Sequence, residues 1–161
     1  MKTALAKEFA KHFPDIDLGE DDLDALGISY FHVSTFDHWL SEPEADDCQY
    51  LNYSITLDAG ALEQYFVGEQ RFLDFYSTLA VDGVICNRSG PLRVFETATS
   101  ELREIFVNSL REKRLMDVYF CGAGVRIFGR YDRTDLVIAD GPQQLEALRT
   151  KVANFGLSVL E

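Results

Sequence analysis

Between residues 118 and 160, short apolar runs alternate with turn residues at a spacing that admits few folds. Residues 118–121 form an apolar run of Val, Tyr, Phe and Cys, Gly122-Ala123-Gly124 interrupts it, and residues 125–131 resume the run. Asp132-Arg133 reads as a hairpin turn into a third strand over 136–139. Gly141 and Pro142 then open a helix, with proline at its favoured first position. Leu145, Leu148, Val152 and Phe155 line its inner side, and Gly156 ends it before a last strand at 157–160. Strands joined by such short turns pair antiparallel, and a helix following them must bury its apolar stripe on one sheet face.

The rest of the chain is richer in helix. Leu5, Phe9 and Phe13 recur every four residues, predicting a helix over 3–13 that Pro14 stops. Acids fill the first turn of a short helix expected at 20–26, and Gly27 suits a left-handed residue after it. Residues 28–36 read as a strand. So do residues 49–57, where Leu51, Tyr53, Ile55 and Leu57 alternate with polar neighbours. The acidic stretch around Pro43 is expected to be a surface loop between them. Helical periodicity runs from Asp58 to Ala80, with Gly68 as a possible division, and returns over 100–114. Short strands are expected at 84–86 and 92–95. The expectation is one α+β domain over residues 1–161, a mainly antiparallel sheet packed on one face by helices. A chain of 161 residues is long enough for one such core.

Charge carries the strongest functional signal. The formal net charge is −12. Residues 1–58 hold three lysines against thirteen acids, whereas residues 59–161 hold twelve basic residues against fourteen acids. Two clusters dominate: Asp15, Asp17, Glu20, Asp21, Asp22 and Asp24, then Glu42, Glu44, Asp46 and Asp47. Such a chain is repelled by phosphate backbones, which disfavours direct nucleic-acid binding. No apolar run approaches the roughly 20 residues of a membrane span, and no secretory signal is visible at the start. Cys48, Cys86 and Cys121 form no close pair, which fits a reducing cytoplasm and structural thiols.

Sites for chemistry are weak. Counted from Asp15, the calcium-loop template fails at its fifth, sixth and twelfth positions, Gly19, Glu20 and Leu26. Gly122-Ala123-Gly124 lacks the third glycine and following helix of a dinucleotide site. Ser89 is not in a nucleophile elbow, and Cys86 sits in an apolar stretch that raises its thiol pKa. His32 and His38 share a strand face if the strand stays regular, and with Asp37, Asp46 or Cys48 they offer an acid–base or metal site. Arg126 and Arg130 flank Phe128, with Arg133 at the turn; they either grip an anion or pair with acids such as Asp132 or Asp135. The spacing of neither group specifies a catalytic centre, a metal or a cofactor, and none is expected.

The acidic clusters remain. They contain spaced apolar residues, and the second follows His38-Trp39-Leu40. An aromatic anchor beside a field of carboxylates suits a docking surface for a cationic protein. In size and charge the chain resembles acidic immunity proteins, and no motif carries the likeness further. The expected function is a small cytoplasmic, bacterial binding protein that neutralises a basic partner by occlusion, for example a nuclease toxin. Its surface would comprise the ten clustered acids with Trp39 and Leu40. Two other readings are a small-molecule-binding domain or enzyme using the His32/His38 or Arg126/Arg130 faces, and a DNA mimic, which would need carboxylates spaced like phosphates over a long face.

Overall fold

Seven strands form one sheet in a computed structural model that describes residues 9–161. The strands are β1 (Ser29–Ser34), β2 (Val84–Arg88), β3 (Arg93–Phe95), β4 (Asp117–Phe120), β5 (Val125–Phe128), β6 (Thr134–Ala139) and β7 (Ser158–Leu160). Their order is β3-β2-β4-β5-β6-β1-β7, and every neighbouring pair is antiparallel. Among the described residues five α-helices accompany the sheet: α1 (Glu42–Asp47), α2 (Tyr53–Ala59), α3 (Leu62–Leu79), α4 (Ser100–Leu110) and α5 (Pro142–Asn154). The architecture is α+β with an antiparallel sheet, as the turn spacing of the last third implies.

Register fixes which side chains share a face, because residues directly opposite in antiparallel strands point the same way. One row across the sheet is Cys86, Val118, Ile127, Val137 and Phe31. All five are buried, and they pack with Phe72, Phe75 and Tyr76 of α3, Leu102 and Phe106 of α4, and Leu148 and Val152 of α5. The opposite face carries a different set. There Ile85, Tyr119, Arg126, Ile138 and Tyr30 form one row. Asp117, Phe128, Leu136, His32 and Leu160 form the next. The segment before β1 crosses this second face: His12 stacks on Tyr119 at 4.1 Å, and the Pro14 carbonyl accepts a 2.8 Å hydrogen bond from Arg126 Nη1.

Three stretches differ from their sequence patterns. Residues 49–57 do not form a strand. Asn52 caps α2 by accepting the Ile55 N–H at 3.0 Å, and Gly60 ends it with φ of +69°. These end signals outweigh the alternation of Leu51, Tyr53, Ile55 and Leu57. The stretch around Pro43 is helical rather than a loop. Ser41 accepts the Glu44 N–H, and the Glu44 carboxylate accepts the Ser41 N–H, which is a capping box with Pro43 in the first turn. Residues 20–26 form successive turns instead of a helix, although Gly27 is left-handed as expected, with φ of +70°. The helix expected over 3–13 lies mostly outside the described residues; Ala10–His12 form a single 3-10 turn.

Gly68 does not divide α3. It sits where the side chain of Arg133 lies against the helix, and a Cβ there would run into the guanidinium and the Thr35 methyl. Among the described residues, no helix is long and apolar enough to cross a membrane.

Candidate functional site

Asp22 and its neighbours are fixed locally before they can act on anything else. The Asp22 carboxylate accepts the N–H groups of Asp24 and Ala25, Asp21 accepts that of Asp17, and Asp17 accepts that of Gly19. These are Asx-type bonds that shape the turns. Asp24 accepts the Tyr30 hydroxyl at 3.2 Å, which ties the cluster to the start of β1. Asp15 and Glu20 make no side-chain hydrogen bond among the described residues. All six carboxylates are exposed.

The second cluster is carried by α1, none of whose residues is buried. Glu42 and Glu44 fill its first turn, where they meet the positive end of the helix dipole. Glu44 also reaches His38 Nε2 at 2.5 Å, while Asp37 reaches His38 Nδ1 at 2.6 Å. Hydrogen bonds donated to the Asp37 and Glu44 carboxylates raise the pKa of His38, and the bond accepted from His38 lowers that of Glu44. Glu42, Asp46 and Asp47 take part in no ion pair among the described residues.

A row of rings joins the two clusters. Tyr30 and His32 lie on the second face of β1, edge to face at 6.3 Å, and Trp39 packs edge to face on His32 at 4.9 Å. The Trp39 indole N–H donates to the Glu161 carbonyl at 3.0 Å, fixing a ring that remains 52% exposed. The sequence thus places Asp24 at one end of an aromatic strip and α1 beyond the other. Leu40, half-buried, lies beside His38 and Glu44 in the wall of a neighbouring groove.

The histidines are not brought together. His32 is half-buried against Trp39; burial lowers its pKa, with Arg130 adding to the effect, and its Nδ1 has no partner among the described residues. His38 is exposed and shifted the opposite way. Of the groups expected to join them, Asp37 bonds His38, and Cys48 lies across the same groove. Among the described residues no three His, Cys, Asp or Glu side chains are placed to hold a metal ion.

The expected arginine face is only partly solvated: Arg126 and Arg133 are buried, while Arg130 lies beyond the end of β5 and is half-buried. Arg126 is buried and closes both Nε and Nη2 on Asp117, at 2.8 and 2.9 Å, between the rings of Phe13 and Phe128. Its partner is therefore Asp117, not Asp132 or Asp135. Asp132 accepts from Asn52, and Asp135 accepts the backbone N–H of Arg130 and the hydroxyl of Tyr76. Cys86 is buried with its thiol pKa raised by burial, whereas Cys121 is exposed at the turn after β4.

Sequence patterns do not specify the pairing of half-buried Arg111 with buried Glu69, or the depth of Arg133, which is only 3% exposed. The one available signal was a polar residue on an otherwise apolar helix face, since Glu69 follows Tyr65 by four and precedes Phe72 by three. No protein-family model, curated protein or solved structure matches this chain.

Proposed function

We propose that this protein binds a basic protein partner and neutralises it by occlusion, in the manner of an immunity protein against a nuclease-type toxin. One observation carries the reading: the two exposed acidic clusters bracket a single strip of rings, Tyr30, His32 and the half-exposed Trp39. A nuclease must present a cationic cleft to hold phosphates, and a carboxylate field complements it. The clusters speed encounter, and the ring strip supplies apolar area that can be buried at contact. Leu26, 58% exposed, adds an apolar side chain within the first cluster.

Five acids suit a test because their side chains make no hydrogen bond or ion pair among the described residues: Asp15, Glu20, Glu42, Asp46 and Asp47. Wild-type protein and a variant with all five changed to lysine are used in parallel to capture proteins from a host lysate at low salt. The wild type is expected to retain a basic protein that elutes as salt rises, and the variant is expected to lose it. Retention of the same proteins by both chains, or of no basic protein by the wild type, overturns the reading.

A further inference from the structure

Arg126 and Arg133 are buried and Arg111 is half-buried; Arg111 and Arg126 each close the side-on edge of the guanidinium, Nε with Nη2, on a carboxylate. Arg111 does so on Glu69, both bonds at 2.9 Å, and Arg126 on Asp117. Arg133 is buried more deeply than either, yet its Nε has no hydrogen-bond partner and it joins no ion pair among the described residues. Its Nη1 donates to the Tyr65 carbonyl at 3.1 Å. Phe36, Tyr50 and Tyr65 surround it with their ring centroids 5.0–5.8 Å from the guanidinium carbon. Ring faces attract the cation but supply no acceptor in its plane. Glu69, one helical turn after Tyr65 on α3, is already committed to Arg111 through both oxygens.

A second orphan lies on the same wall. The Thr35 hydroxyl is buried without a partner, and the Thr35 N–H donates to the Arg133 carbonyl at 3.4 Å. Both residues border an open groove of about 900 Å³ that also contains Phe36, Tyr50 and Arg71. Buried cations and hydroxyls are ordinarily satisfied, so two unmet groups on residues that border one groove mark a place for an acceptor from outside the chain.

We propose that this groove binds a small organic monocarboxylate, whose two oxygens close the empty edge of Arg133 and accept from the Thr35 hydroxyl, with a flat or apolar body against Phe36 and Tyr50. A planar carboxylate matches the guanidinium edge. A phosphate dianion is disfavoured because Asp37, Glu44 and Asp47 border the same groove. Nε and the hydroxyl are closed to solvent as they stand, so binding requires the wall to open. Tyr50, 40% exposed and held by stacking on Phe36, is the side chain able to swing aside.

The test is a titration of the full-length protein with benzoate, following the Nε–H signal of Arg133 by NMR, with inorganic phosphate as the control. Benzoate is expected to shift that signal saturably and to raise the thermal midpoint, while phosphate does neither. Arg133→Lys keeps the charge but loses the two-donor edge, and it is expected to weaken benzoate binding by about tenfold or more. If that variant does not fold, the wild-type shift and the milder Thr35→Val variant, expected to weaken binding several-fold, decide the matter. A folded wild type whose Arg133 signal ignores benzoate, or responds equally to phosphate, overturns the proposal. No protein partner enters this titration, so its failure leaves the docking reading standing, and failure of lysate capture leaves the groove reading standing.

Discussion

Asp135 is a carboxylate placed on the core side of the sheet, opposite Val33, where water cannot reach it. It is held by the Tyr76 hydroxyl and the Arg130 N–H, and burial raises its pKa from 3.8 to about 6. The folded state therefore holds this proton more tightly than the unfolded one. Stability from this group is present below pH 3.8 and is lost as the pH rises through about 6. Asp135→Asn keeps an acceptor for Arg130 and a partner for Tyr76 without the buried charge. It is expected to raise unfolding free energy at pH 7 by up to about 3 kcal/mol, the gain fading toward pH 4, as read from urea denaturation across that range. Asp117 behaves oppositely, because Arg126 depends on it. Asp117→Ala strands a buried guanidinium and is expected to cost about 3–5 kcal/mol, whereas the double replacement Asp117→Leu with Arg126→Met recovers most of that loss. Denaturation of the three variants measures both. Neither pair could be read from the sequence: Arg126 and Asp117 lie on adjacent strands, and only the β4–β5 register places Asp117 opposite Phe128, next to Arg126.

At the scale of elements, end signals decided what periodicity left ambiguous. Asn52 initiates α2 and also donates to Asp132 at 3.1 Å. Asn52→Ala is expected to cost about 1 kcal/mol or more, measured as a lower denaturation midpoint with an unchanged slope. The last third of the chain was legible because its turns are short and β4, β5 and β6 pair in sequence order, although β7 crosses to pair with β1. Asp132 and Arg133 both adopt positive φ, and the Thr134 N–H bonds the Tyr131 carbonyl, as a tight hairpin turn requires. Residues 49–57 imitate a strand because an apolar residue falls at every second position, yet in α2 Ile55 and Leu57 are exposed and Thr56 is buried. The helix α1 was missed for a related reason. Its four acids mark a surface, but Ser41 and Glu44 three residues apart carry the capping-box spacing that sets a helix there. The exposure of the candidate acids could be expected from composition. The depth of Arg133 could not, because it depends on Gly68 leaving room on α3.

For the molecule as a whole, the antiparallel sheet has one face committed to the helical core and the other partly covered by the segment before β1. That division leaves the ring strip and both acidic clusters outside the core. Reversing the charge at Asp15, Glu20, Glu42, Asp46 and Asp47 should therefore leave the fold nearly unchanged, with a thermal midpoint close to wild type, while altering how fast a cationic partner arrives. The decisive measurement is the association rate constant of the captured basic partner, followed against ionic strength for the wild-type chain and the five-lysine variant. Docking on the anionic strip predicts fast wild-type association that slows steeply with added salt. The variant should associate at least about tenfold more slowly at low salt, with a nearly flat dependence. Equal rates and equal salt slopes for the two chains would contradict it.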